Sequence, residues 1–419
     1  IFPFLIAGTW AHEGTEATVA EPARRGDLLF TVQVNAGENS RTSALVKLLV
    51  DAQAVADQPV TVIDPAGRKI PAQISLAGIE YDSGNSKRLL TFIAPEIPAR
   101  TTIEYTVHSQ DSDAGREFKW HDDQTTQAEL QLDGKGVVRY MYEALDDATE
   151  QRRAETCKTY HHVFSPDGTK LLTKGTGGLY PHHRGIFFGF NRISYDNRVA
   201  DNWHCGKGES QTHSHCLSET SGPVYGRHAN VILWNGRDGE PFATEVRQIT
   251  CYRVGDATLI DFHATVKSNG KRITLDGDPQ HAGVQFRARQ QVADQTREKT
   301  FYIRPDGVGK PGQFRNWSDK PDETGINRSH RNLPFNAMVF VLDGDQYNCA
   351  CLDHPDYPKP AMYSERDYGR FGSYFRYQLT PEQPLHVRYR YWLQEGTMTV
   401  AEIERLSQDF VNPVAASVN

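Results

Sequence analysis

The chain has 419 residues, of which 38% are hydrophobic and 24% charged, and a formal net charge of −7. That length suits two to three ordinary domains, or one large β domain beside a small one. An acidic chain without a basic face argues against a nucleic-acid binder. No run approaches 18 apolar residues, so no helical membrane span is expected.

The opening "IFPFLIAGTWAHEGTEA" passes from an apolar run through small residues to polar sequence. Residues 1–19 therefore read as the remnant of a secretory leader, and the protein is expected to be secreted or periplasmic. Six cysteines fit an exported protein. Cys205 and Cys216 are spaced to close a loop. Cys349 and Cys351, two apart on a strand, face the same way and are poor partners for each other.

From residue 20 to 115, short β-type runs follow one another between Gly, Pro, Asn and Asp turns. "DLLFTVQV", "SALVKLLV", "PVTVID", "KRLLTFIAP" and "TTIEYTVHSQ" predict a small N-terminal β-sandwich. Residues 116–127 are polar and aperiodic and read as a linker. Residues 128–396 predict a large antiparallel β-sandwich. In it, "HANVILWNGRDGEPFATEVRQITCYRVGDATLIDFHATVKS" supplies three consecutive strands with Gly-bearing turns. Residues 397–419 hold one helix, with Thr399 and Glu402 as a capping box and Ile403, Leu406 and Phe410 on one face. The fold class is all-β with a C-terminal helix.

The 16 histidines carry the functional signal. On a strand, neighbours point to opposite faces, so only one member of an adjacent pair would serve a given cavity. His213 and His215, two apart, would face the same way and are candidate ligands for a divalent metal, with a third ligand from elsewhere. No other cofactor is indicated. "LYPHHRGIFFGF" places Tyr180, His182, His183 and Arg184 at the mouth of an apolar strand. Arg184 offers a planar fork for a carboxylate, and Gly185 permits close backbone approach. "DGDPQHAGVQFRAR" repeats this logic with His281 and Arg287, and "NWHCG" adds Trp203 and His204. Asp353 and His354 sit in a proline-rich loop, a usual place for binding groups. Aromatic residues nearby, among them Trp203, Tyr363 and Tyr368, suit sugar rings. There is no GxSxG, P-loop or dinucleotide fingerprint.

"YHHVFSPDGTKLLTKG…YPHHRGIFFGF", "GDPQHAGVQFRA" and "LDHPDYPKPAMYSERDYGRFG" together resemble a family of exported bacterial proteins of unknown function that carry the label methane oxygenase PmoA-like. The resemblance covers most of residues 25–395. It implies a large β-sandwich similar to the galactose-mutarotase-like supersandwiches, in a carbohydrate-degrading context. The label itself conflicts with the sequence, because a membrane monooxygenase subunit needs several apolar spans.

The leading expectation is an exported carbohydrate-active enzyme, a lyase or hydrolase, acting on a saccharide that would be acidic for a lyase. In a lyase, Arg184 or Arg287 would neutralise the carboxylate, and His182, His183, His281 or Tyr180 would move the proton. Trp203, His204, Asp353 and His354 would complete substrate binding. A glycosidase would instead need two carboxylates about 5–10 Å apart. The alternatives are a non-catalytic saccharide-binding module and a structural exoprotein.

Overall fold

Alternation of buried and exposed side chains organises the first third of the chain. Val32 and Val34, Val46 and Val50, Val60 and Val62 point inward from successive strands while their neighbours face out. The computed structural model describes residues 26–52, 55, 57–81, 86–109, 115–319 and 326–419; the expected leader lies outside them. Six antiparallel strands between Leu28 and Ser109 form one sheet over this valine-rich core. A seventh, Ala415–Val418, arrives from the far end of the chain and pairs with Leu28–Asn35. The C-terminal tail is thus part of the N-terminal unit.

Two larger sheets follow. The first has eight strands, and at its centre Ile186–Phe190 lies between Tyr160–Val163 and Ala282–Arg287. The second has nine, with Ala257–Ser268 and Leu385–Glu395 near its middle. The core between them is aromatic: Phe188, Phe190, Phe286 and Phe371 from the first meet Trp234, Phe262 and Tyr391 from the second. This is the antiparallel double-sheet architecture expected from the strand-and-turn pattern. The helix Val400–Val411 has its capping box, and Ile403, Leu406 and Phe410 pack on the nine-stranded sheet.

The expected linker departs from the sequence reading. Within 116–127, Phe118–Asp122 is the edge strand of the eight-stranded sheet, paired with Gln127–Leu132. Phe118 and Trp120 alternate with polar residues and bury against the core, a signal the flanking charges obscured. The strand Pro241–Val254 is buried on both faces rather than alternating, because Tyr252 and Val254 on its outer face pack against Leu45 and Ile93 of the N-terminal unit.

Candidate functional site: a braced trihistidine cluster

The site stands on the outer face of the eight-stranded sheet, away from the aromatic core. Phe188 and Phe190 face the core, so the period of two turns Phe187 outward. There it packs with Tyr160 and Trp203 in a small apolar cluster. Trp203 is fully buried and forms the floor, edge-on to His183 and Phe187.

Three loops converge above that floor. One is 174–185, before the strand Ile186–Phe190. Gly185 there has φ +40°, and a Cβ would lie 2.0 Å from the carbonyl oxygen of His161, so only glycine lets this loop meet the next strand. The second loop carries Asp201–Cys205 and the third Asp278–His281. Together they bring His182, His204 and His281 into one group, with a ligand nitrogen from each within 4.8 Å of the other two. The ring centroids are 4.4 Å apart for His182 and His204, 4.9 Å for His204 and His281, and 5.5 Å for His182 and His281.

Two of the three imidazoles are braced in the same way. His204 Nδ1 lies 2.8 Å from Asp201 Oδ2, and Asp201 Oδ1 accepts the backbone N–H groups of Trp203 and His204. His281 Nδ1 lies 3.0 Å from Asp278 Oδ1, which also accepts the N–H of Gln280. Each carboxylate fixes a turn and a ring together. Donation from Nδ1 leaves Nε2 as the lone-pair nitrogen, the form that ligates a metal. Burial works against the Asp278 anion, but hydrogen bonds from His281, Gln280 and Asn191 hold its carboxyl well below the ordinary range. Nε2 of His182 is buried without a hydrogen bond. Burial, then Lys158, His204, His281 and Lys174, push the His182 pKa down to about 2, so its imidazole is neutral.

Two buried ammonium groups tie the loops. Lys158 Nζ donates to the carbonyl of His182 at 2.8 Å and to that of Trp203, joining the first and second loops. Lys174 Nζ lies 3.2–3.5 Å from the carbonyls of Gly175, His183 and Tyr180. Burial lowers Lys158 to about 8 and Lys174 to about 7.

His183 belongs to the site as well, 4.3 Å from His182 by ring centroid, with both ring nitrogens buried and unbonded. The one-of-a-pair expectation fails here because this pair lies in a turn, where strand alternation does not apply. Tyr180, at φ +53°, is 43% exposed and packs on Tyr368 with centroids 5.0 Å apart. Tyr368 in turn covers Arg287. Arg287 is buried, donates Nη1 to the carbonyls of Ala288 and Tyr368, and keeps Nε and Nη2 without partners. A cavity of about 580 Å³ opens beside Asp201 and His204.

Other expected site residues lie elsewhere. Arg184 is buried and spends its fork on the carbonyls of Pro181, Ala154 and Glu155, so it closes the end of the helix Glu150–Thr156. Asp353 is buried against Tyr363, whose hydroxyl donates to it. His354 packs on Phe410 of the C-terminal helix. His213 and His215 are on the edge strand Ser210–Thr220, where a register shift between them breaks the two-residue rule; His213 instead meets Tyr140 and Tyr142. Among the described residues, the three-ligand group is the one at His182, His204 and His281. The sequence did carry a sign of it. "DNWH" and "DPQH" are the same Asp-x-x-His spacing, used twice.

A family profile matches residues 127–408, the part of the chain that holds the nine-stranded sheet, all but the edge strand of the eight-stranded sheet, and the trihistidine group. The chain belongs to the family of unknown function DUF6807. Nothing in this match supports the methane-oxygenase label. No curated protein matches the DUF6807 chain. Among solved structures it is similar to a protein in the glycosyl hydrolase family 38 from Enterococcus faecalis, with 11% identity and a TM-score of 0.42. That alignment covers 93% of this chain and 47% of the other, so the chain spans about half of that protein. It is also similar to a galactose mutarotase related enzyme from Lactobacillus acidophilus, with 9% identity, a TM-score of 0.26, and 57% and 95% coverage. Likeness at this level carries no functional argument, and the site has to speak through its own geometry. No helix among the described residues is long and apolar enough to cross a membrane.

Proposed function

We propose that this DUF6807 protein is a metal-dependent enzyme that cleaves an acidic saccharide by elimination. The observation that carries the reading is the convergence of His182, His204 and His281, two of them braced by carboxylates. Three imidazoles with an open side suit a catalytic divalent ion such as zinc. Such an ion would polarise a bound carboxylate.

The surroundings favour an anion. Lys158, Lys174 and the buried Arg370 act on His182 or His183, and Arg287 acts on Lys174, against the carboxylates of Asp201 and Asp278. Both of those carboxylates are committed to imidazoles, which leaves neither as the general acid a glycosidase requires. Burial, with Arg370 and His182 next, holds the His183 pKa far below its usual value, so the ring is neutral but a weak base, and it would rely on the ion to acidify the proton it takes. In the proposed step His183 takes the proton alpha to the carboxylate. The electron pair forms a carbon–carbon double bond as the bond to the glycosidic oxygen breaks. The exposed Tyr180 hydroxyl gives that oxygen its proton.

The test is metal content and zinc titration of the wild type and of His281→Ala, followed by a polyuronate panel read by ultraviolet absorbance of the unsaturated product. Stoichiometric metal, lost in the variant, and product that disappears on chelation support the reading. Turnover that survives complete metal removal overturns it. Saccharide affinity with no product favours a binding module instead.

A further inference from the structure

We infer that Cys157 and Cys205 form a disulfide that fastens the His204 loop to the strand segment carrying Lys158. The two residues are 48 positions apart in sequence, and both are buried. Cys205 Sγ lies 3.9 Å from the carbonyl oxygen of Cys157 and 3.4 Å from that of Asn202, Cys157 Sγ lies 3.7 Å from the carbonyl of Ala154, and each thiol is the largest influence on the other's proton affinity. Each cysteine is anchored by its backbone. The Cys157 N–H donates to the carbonyl of Arg153, and its own carbonyl accepts the N–H of Gln211 at 2.8 Å. The Cys205 N–H donates to the carbonyl of Asp201 at 2.9 Å.

The other cysteines do not compete. Cys216, the partner that sequence spacing suggested for Cys205, is exposed on the strand Ser210–Thr220. Cys251, Cys349 and Cys351 are buried in the core between the two large sheets.

The position gives the bond a consequence. Cys205 follows His204 directly and is held at φ +57°, a left-handed conformation that non-glycine residues resist. Cys157 precedes Lys158, whose ammonium group holds the carbonyls of His182 and Trp203. A bond between the sulfurs would couple the backbones that present His182 and His204. The balance is simple: two thiols lose two protons and two electrons as the S–S bond forms. A small-molecule or protein disulfide accepts the electrons and is reduced to two thiols. The coupling to metal rests on the proposed function, whereas the bond itself does not.

The test uses the full chain, refolded with oxidised glutathione, alkylated without reduction and digested with trypsin. The expected result is four alkylated cysteines rather than six, and a linked species joining peptide 154–158 to peptide 199–207. Free alkylated Cys157 and Cys205, or linkage of either to Cys216 in peptide 208–227, overturns the inference. Cys157→Ser should leave Cys205 alkylatable, a readout that does not need a stable site. A second arm compares zinc release from the cross-linked and reduced chains. About tenfold faster release after reduction is expected for a support of a metal ligand. Equal rates overturn the coupling but leave the mass result intact, and a chain that takes up no zinc refutes the functional reading alone.

Discussion

Asp278 and His281 are joined by a 3.0 Å contact from Oδ1 to Nδ1, and the same carboxylate closes the turn that presents the ring. Asp201 and His204 repeat that relationship at 2.8 Å. A brace of this kind sets the tautomer and the aim of an imidazole before any ion arrives.

Asp278→Asn should therefore weaken zinc binding by about 10–100-fold while the fold stays intact. Asparagine can still accept from the turn, but it no longer supplies the charge that favours the Nδ1–H tautomer. Isothermal titration of the variant checks this. Unchanged affinity would mean that His281 does not ligate.

Lys158→Met should lower stability by about 2–3 kcal/mol, from two lost charge-assisted hydrogen bonds partly offset by removing a buried charge. It should also loosen zinc, because the loops of His182 and His204 lose their shared anchor. Urea unfolding and zinc titration together read this out. A loss of stability with normal zinc affinity would restrict Lys158 to a structural role.

Arg184→Met should cost about 3 kcal/mol, since three backbone carbonyls lose a buried donor. The expectation that Arg184 grips a substrate carboxylate predicts something different, a raised KM with normal stability. Denaturant unfolding beside kinetics separates the two.

Asp353→Asn should become progressively stabilising, relative to the wild type, as pH rises. Burial lifts the Asp353 pKa to about 7, while Lys359 and the Tyr363 hydroxyl pull the other way. Below the unfolded value of 3.8 the group is protonated in both states and has no effect. Between there and about 7 the unfolded chain releases its proton while the folded chain keeps it, so wild-type stability falls across that window. The full difference is roughly 4 kcal/mol. Urea midpoints across the window measure it, and parallel curves for the two proteins would reject the raised pKa.

Much of the architecture was legible from residue order. Period-two alternation and Gly-bearing turns marked the strands, and Thr399 with Glu402 marked the helix. Those signals are local, because they follow from how a strand or a helix buries one face. The edge strand Phe118–Asp122 was missed because its polar neighbours outweighed two buried aromatics. The pairing of Ala415–Val418 with Leu28–Asn35 joins the two ends of the chain, and no local pattern reports it.

The sequence by itself determined an all-β chain with its histidines grouped in a few short segments, since periodicity and composition are properties of neighbours along the chain. Only the tertiary structure decided which histidines meet. Arg184 and Arg287 have the same side chain in similar settings, yet one closes a helix end and the other lies under Tyr368 with two donors unused. That difference comes from three loops folding onto one sheet face, where contacts between distant residues fix which polar groups are satisfied and which are left without a partner.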